Sequence, residues 1–555
     1  MRRKIWKIGE YSPDAKRLAA EFDISEVLAQ ILLNRHVPPE DFPSFLRHSL
    51  DDLHSPELLP DIIPAADRIR HAVKEKERVL VVGDYDVDGI TSLGIFHQFA
   101  KHFPGQFVFY IPHRIEDGYG FGPGALARAR AEKASVILTF DCGTNAHREI
   151  ECARSLGIDV IVVDHHYPRA TLPRACAVVN PKRFDSSYPF RELSSGGLAF
   201  KFLQVLRGES CTDVLDLVSL SIVCDVVPLH GENRILLTEG LEYLQKSDRL
   251  GVKALCAVSK VKQSSISPYH LGFILGPRLN ASGRIAHAET SLNIFLTDKE
   301  AETRRLAKQL QEYNIRRRGI ESEILKQADA QASLRADDHA LVLYADGWHP
   351  GVLGIVASRL ADKYYRPCFV ISFEEREGKG SARSIHSVHL TEVLTQCEEF
   401  LTNFGGHQRA AGLQIERNNV ERFREKVNEV IGSSVDPRDF LPLMEVDLPL
   451  SFSSITLALV EELQILKPYG EQMTEPRFVS RGVRKKTAPQ KIRNGYSVWL
   501  ESDGRVFEGL LYDKQQIELI RYGENFDIVY SLAKNSYHNL PRLYLRDCRF
   551  SSEEK

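Results

Sequence analysis

Between residues 66 and 240 the chain alternates short apolar runs with helix-like stretches, and no other feature restricts the possible folds as much. The runs lie at 79–82, 107–111, 136–140 and 160–163, and the stretches between them, at 92–102, 124–133 and 146–156, carry helical apolar spacing. Apolar runs this short, without polar alternation, read as strands buried on both faces. Strands of that kind separated by helices predict an α/β fold, with a parallel sheet covered by helices. In such sheets ligands collect at the carboxyl ends of the strands. Three of the four runs end there in a polar cluster. The first gives Asp84, Asp86 and Asp88, the third Asp141-Cys142-Gly143-Thr144-Asn145, and the fourth Asp164-His165-His166.

The first cluster has three competing readings. Aspartates in a turn are commonly solvated or cap a helix. The pattern Asp84-Tyr85-Asp86-Val87-Asp88-Gly89 also opens a calcium loop of the EF-hand type. That loop needs a bidentate Glu at its twelfth position and a helix in front of it. Here the twelfth position is Ile95 and a strand precedes, so the EF-hand reading fails. A metal site explains the cluster best because carboxylates this close repel unless a cation or a proton neutralises them, and because the pattern recurs. A helical apolar run at 219–229 delivers a further acid, Asp225. Four acidic or histidine clusters meeting at one sheet edge suit a hard divalent cation.

The 555 residues allow three or four domains. The net charge of −3 rules out a global basic signature, so any nucleic-acid surface is local. Nine scattered cysteines without a C-x-x-C pair argue against a disulfide framework or a zinc ribbon and suit a reducing cytoplasm. No signal peptide is expected from the first residues, and the most apolar window, 214–229, is interrupted by Asp216 and Asp225, so no membrane-spanning helix is expected.

Five segments follow from the patterning. Residues 1–55 read as a helical N-terminal segment, with a helix at 26–35. Residues 56–240 form the α/β domain with the acidic clusters. Residues 241–335 form a connecting region, with one long helix at 297–334 that reads as a rod joining two lobes and that Gly319 softens. A second, smaller α/β domain occupies 336–435, and a β-barrel of OB type 440–555. The rod spans roughly 50 Å at about 1.5 Å per residue. Within the connecting region, 276–285 reads as a loop whose Asn280, Ser282, Arg278 and Arg284 suit an anion, against the plain alternative of a surface loop. In the second domain Gly405-Gly406-His407, with Arg409, suits phosphate, although paired glycines are more often only a turn. The barrel carries Arg481, Arg484, Lys485, Lys486, Lys491 and Arg493 near Tyr496 and Trp499. That mixture suits a single nucleic-acid strand about as well as it suits a solvated basic face.

Taken together, the four motifs Asp84-Tyr85-Asp86-Val87-Asp88-Gly89, Asp141-Cys142-Gly143, Asp164-His165-His166 and Cys224-Asp225 resemble those of the DHH phosphoesterases. The second α/β domain, with Gly405-Gly406-His407, resembles the associated DHHA1 domain. Tyr85, the 278–285 segment and the barrel make the likeness closest to the bacterial RecJ exonucleases. The resemblance implies a parallel-sheet DHH domain joined by a long helix to a smaller α/β DHHA1 domain, plus the OB-like barrel. It implies Asp86, Asp88, Asp141, His165 and Asp225 as metal ligands, with Asp141 bridging two Mn2+ or Mg2+ ions. Asp84 and His166 are either ligands or contacts to the scissile phosphate. Arg114, Asn280, Ser282, Arg284, Arg383 and His407 face the nucleic-acid backbone, Arg114 near the 5′ end. The implied activity is metal-dependent hydrolysis of single-stranded DNA from its 5′ end to mononucleotides, in recombination and repair, with a helicase and a single-strand-binding protein as partners. The alternatives are a phosphodiesterase for short oligonucleotides or cyclic dinucleotides, and a non-catalytic single-strand-binding scaffold.

Overall fold

The computed structural model describes residues 4–114, 117–118, 120–335, 337–535 and 538–551. The chain divides into two units. The larger takes residues 53–227 and 232–440, and the smaller takes 1–52, 228–231 and 441–555.

In the larger unit the expected strands form one parallel sheet, in the order Phe107–Tyr110, Val79–Gly83, Val136–Phe140, Asp159–Val163, Ala177–Val179. The fifth strand escaped the sequence reading because three residues, Ala177 to Val179, are too few to show a period. The chain starts beside the middle of this sheet, adds one strand outward and then reverses. Loops from the Val79–Gly83 and Val136–Phe140 strands therefore part from each other at the reversal, which opens a crevice at their carboxyl ends. Helices Pro123–Ala131 and His147–Ser155 pack on one face through Leu80, Val82, Ile137, Ala125 and Ile150. The helix Val87–Ala100 lies against the other face, where Phe96 meets Phe107, Phe140 and Phe202 with ring centres 5.4, 5.5 and 6.4 Å apart.

Residues 276–285 depart from the expected loop and form a helix, Gly276–Ile285. Pro277 occupies its first turn, where the missing N–H costs nothing, and a π-helical turn, Leu271–Leu275, feeds into it. The long helix is continuous over 34 residues, Glu300–Ser333, with Gly319 inside it. It joins the two α/β domains, as expected, and both belong to the larger unit. Its C-terminal half supplies Ile324, Ala328 and Ala332 to the core of the second domain. That domain has a mixed five-stranded sheet in the order Leu401–Gly406, Ala410–Glu416, Glu377–Arg383, Cys368–Glu374, Leu341–Asp346. Helix Pro350–Tyr364 covers one face and Val420–Ser434 the other.

The smaller unit contains the barrel. Its strands run Leu448–Pro449, Phe478–Lys485, Asn525–Asn535, Leu540–Phe550, Arg505–Leu511, Gly495–Ser502, Gln490–Ile492, and the pairing of Arg484 with Glu501 closes the sheet on itself. The helix Lys514–Tyr522 lies between strands as expected and is capped by Asp513. The N-terminal segment carries the expected helix, Glu26–Asn34, preceded by a second, Asp14–Phe22. It opens with a strand, Ile5–Ile8, paired in parallel with Leu443–Val446, and it belongs to the unit of the barrel. The Trp6 indole N–H donates to Asp547 at 2.7 Å under the Arg549 guanidinium, and Arg35 pairs with Asp447 at 3.2 Å. These contacts span more than four hundred residues of chain, beyond the reach of local patterning.

Candidate metal centre and phosphate-binding face

All four sequence clusters converge. Asp84, Asp86 and Asp88 follow the first strand, with Asp86 capping the helix Val87–Ala100 through the N–H groups of Asp88 and Gly89. Asp141 ends the third strand, with a left-handed φ of 63°. His165 and His166 follow the fourth strand, and Asp225 closes the helix Leu215–Cys224. His165 Nε2 lies 3.2 Å from Asp141 Oδ1 and 3.7 Å from both Asp88 Oδ2 and Asp225 Oδ2. Three groupings place their ligand atoms within 4.8 Å of one another: Asp141 with His165 and His166, Asp88 with His165 and Asp225, and Asp84 with Asp86 and Asp141. Asp141 is common to the histidine pair and to the Asp84–Asp86 pair.

Backbone strain marks the same place. Asp141 and Val226, next to Asp225, both take left-handed φ values, and Val226 at 60° is a β-branched residue where such a conformation is costly.

The histidine tautomers follow from their partners. The Leu193 carbonyl can only accept, so His165 Nδ1 carries the proton at 3.0 Å and Nε2 offers its lone pair to the carboxylates. His166 Nδ1 lies 2.7 Å from Asp164 Oδ1. Asp164 also accepts from the backbone N–H groups of Thr144, His165 and His166. Burial alone would raise the Asp164 carboxyl, but the His166 ring and these donors carry it below the usual carboxylate range. Conversely, burial lowers His166 and Asp164 more than restores it, leaving the imidazole above its ordinary value. Buried Asn180 steadies this pair by donating to Thr144 Oγ1 and to the His166 carbonyl.

Asp88 is held differently. Its carboxylate accepts from the backbone N–H groups of Ser195 and Gly196 and from Ser221 Oγ, at 2.9, 3.0 and 2.5 Å. The stretch 192–196 therefore fixes both Asp88 and His165. The sequence reading missed it. Its only signal was Ser194-Ser195-Gly196-Gly197, a serine cap and glycine pair opening the helix Ser195–Arg207.

Burial raises Asp84, Asp141 and Asp225 well above the usual carboxylate range, and the neighbouring carboxylates Asp86 and Asp88 push in the same direction. Such a cluster is unfavourable until positive charge enters it. The donors are carboxylate oxygens and imidazole nitrogens. Burial and the same carboxylates push the nearby Cys224 thiol up. This donor set fits Mn2+ or Mg2+.

A group of arginines neighbours the acids. The Arg114 guanidinium sits 4.8 Å over the Tyr85 ring. Arg284 donates to the Gly351 carbonyl at 3.2 Å, and Arg383 lies against Gly354. Burial, and then Arg114, Arg317 and Arg383, pull Arg284 down to about 9. Burial is the larger cause, and the added effect of Arg114, Arg317 and Arg383 puts these guanidinium groups in one region, a setting that suits an anion.

The remaining expected contacts divide. Asn280 is half-buried on the same helix as Arg284. Ser282 is a correction: it is fully buried, bonded to the Leu279 carbonyl and Ser291 Oγ, and joins two helices rather than facing a substrate. His407 is exposed at the turn of the hairpin whose second strand pairs Ala410 with Arg383. In the barrel, Lys485 caps the carbonyls of Ile520 and Arg521 and Lys486 pairs with Glu501, so these two lysines have local partners, while Arg484, Lys491, Arg493 and Trp499 are exposed.

Three family models match the chain: the DHH family N-terminal domain over residues 78–222, the DHHA1 domain over 337–433 and the RecJ OB domain over 446–546. Asp225 lies just beyond the first match. The single-stranded-DNA-specific exonuclease RecJ of Bacillus subtilis is 34% identical over 98% of this chain and 71% of its own length. The crystal structure of RecJ from Thermus thermophilus with Mn2+ superposes with a TM-score of 0.85 at 26% identity, covering 99% of this chain and 80% of that one. The same protein with Mg2+ gives 0.79 at 25% identity, covering 99% and 79%. With its acids, histidines and arginines arranged as described, the chain belongs to the RecJ family of DHH phosphoesterases.

Proposed function

We infer that this chain is a metal-dependent exonuclease specific for single-stranded DNA, working from the 5′ end and releasing mononucleotides in DNA repair and recombination. The observation that carries the reading is the neighbouring pair of charge clusters: a carboxylate and imidazole group fit for divalent cations, and three convergent guanidiniums fit for phosphate. Asp86, Asp88, Asp141, His165 and Asp225 would hold two ions, with Asp84 and His166 at the outer positions and Asp141 shared. Divalent cations bound by these residues would supply an activated water and charge stabilisation for displacement at phosphorus.

The remaining work belongs to the protein. Arg114, Arg284 and Arg383 bind and orient phosphate. A terminal phosphate monoester carries more charge than an internal diester, so three guanidiniums favour a phosphorylated strand end over the chain interior. His166 Nδ1 donates to Asp164, so the neutral ring offers its Nε2 lone pair to a metal ion, and only the protonated ring donates from Nε2 to a phosphate oxygen. Contacts to phosphates and base faces make the reaction independent of sequence. The exposed basic and aromatic residues of the barrel suit the rest of the strand. The nine cysteines, all free, fit a reducing cytoplasm, and among the described residues no helix is long and apolar enough to cross a membrane. A helicase and a single-strand-binding protein are the partners such a reaction calls for, one to expose the strand and one to keep it open.

The test is an oligonucleotide labelled at its 3′ end, with and without a 5′ phosphate, in manganese, magnesium or chelator. The reading expects shortening from the 5′ end that needs metal, is faster with the phosphate and is lost on matched duplex. An intact strand beside rapid hydrolysis of dinucleotides would overturn it.

A further inference from the structure

Glu192, directly before the carbonyl that fixes His165, divides its carboxylate between two partners. The Tyr167 hydroxyl donates to Oε1 at 3.2 Å, and Lys182 Nζ lies 3.1 Å from Oε2. The Lys182 ammonium also lies 4.7 Å from the centre of the Tyr167 ring. Lys182 has a side chain only 10% exposed, while Tyr167, the residue after His166, is 68% exposed.

This trio adjoins the histidines of the acid cluster, because Tyr167 follows His166 in the chain and Glu192 precedes Leu193, whose carbonyl accepts from His165. A lysine paired with a glutamate needs no aromatic neighbour. An exposed ring beside a catalytic histidine, with an ammonium against it, is a surface on which a nucleobase stacks next to its own phosphate.

We propose that Tyr167 and Lys182 form a nucleotide subsite beside His165 and His166. The Tyr167 ring stacks on a base of the strand that remains, and Lys182 exchanges the Glu192 carboxylate for a backbone phosphate. Glu192 holds both side chains in position while the site is free. The subsite rests on the single-strand reading above and adds where the second nucleotide is gripped.

The experiment measures kcat/KM of the full chain in Mn2+ on single strands carrying one abasic nucleotide at each position in turn. In the wild-type protein one position near the 5′ end should lose about 5- to 150-fold, the range of one base stack. In Tyr167→Ala that position should show no additional loss, and Tyr167→Phe should restore it. A merely structural tyrosine would lower every substrate equally. Lys182→Gln should flatten the salt dependence of log kcat/KM by about 0.7, one phosphate contact on a single strand. Losses that multiply at every position, together with an unchanged salt slope, would overturn the subsite while leaving the exonuclease reading intact. A wild-type protein that leaves single strands uncut would remove both. If Tyr167→Ala fails to fold, the Lys182→Gln salt slope decides.

Discussion

Replacing Gly89 by alanine tests how closely the backbone must pack to build the centre. Gly89 lies in the first turn of the helix Val87–Ala100, directly beneath the turn that carries Asp84. A Cβ there would stand 2.5 Å from both the N and the O of Asp84 and 2.8 Å from its carbonyl carbon. Relief to ordinary contact at 3.4 Å takes about 0.9 Å of movement. The helix start is anchored, because Asp88 beside it is tied to Ser195, Gly196 and Ser221. On the far side, the backbone of Gly283 packs against Tyr85, where a Cβ would come 3.0 Å from the Tyr85 carbonyl. The Asp84–Tyr85 turn is therefore confined from two sides, and the displacement goes into Asp84 and Asp86. Overpacking of this kind costs about 1–3 kcal/mol of stability, and a misplacement near 1 Å at a reacting centre costs roughly 10²-fold in rate. The assay compares single-strand hydrolysis at saturating Mn2+ with thermal melting. Expected are a rate about a hundredfold lower and a modestly lower melting temperature. Wild-type rate with unchanged melting would refute the reasoning, since it would mean that the turn is free to move.

Other perturbations separate charge, packing and backbone effects. Gly319→Ala, in the middle of the long helix where a new Cβ meets nothing within 4 Å, should stabilise by about 1 kcal/mol and leave activity unchanged, read by melting and hydrolysis. Asp141→Asn removes one buried charge from a repelling cluster. It should abolish turnover while raising the melting temperature in chelator, and retained turnover would sink the shared-ligand assignment. The raised carboxyls of Asp84, Asp141 and Asp225 give the folded protein more bound protons than the unfolded chain between the unfolded value of about 3.9 and their folded values. Their contribution is present at low pH and lost as pH rises. His165, lowered by burial, opposes this only below the unfolded histidine value of about 6.5. The rise in melting temperature on adding Mn2+ should therefore grow as pH increases above about 6.5, because metal replaces protons in the cluster. A gain that does not change with pH would contradict it.

Local patterning was enough for the α/β class, four of the five strands of the main sheet and the acids and histidines at their ends, because strand burial and strand-end chemistry are local and periodic. It also carried the barrel, whose strands alternate. The helix Gly276–Ile285 was hidden because its glycines and proline are poor helix formers, and only packing against the Tyr85 turn and the long helix outweighs that local preference. Ser282 looked like a polar group in an anion loop until the helix turned it inward onto Ser291. The Leu193 carbonyl and the Ser195 and Gly196 N–H groups hold His165 and Asp88 through the backbone, which every residue possesses and which therefore leaves little trace in side-chain identity, while the Asn180 side chain reaches the His166 carbonyl only once the fold brings the two together. The union of the N-terminal strand with the barrel was likewise invisible, because a parallel pairing across the whole chain depends on which ends the fold brings together. Residue type set what chemistry was possible, and tertiary structure decided which groups lie close enough, and held firmly enough, to perform it.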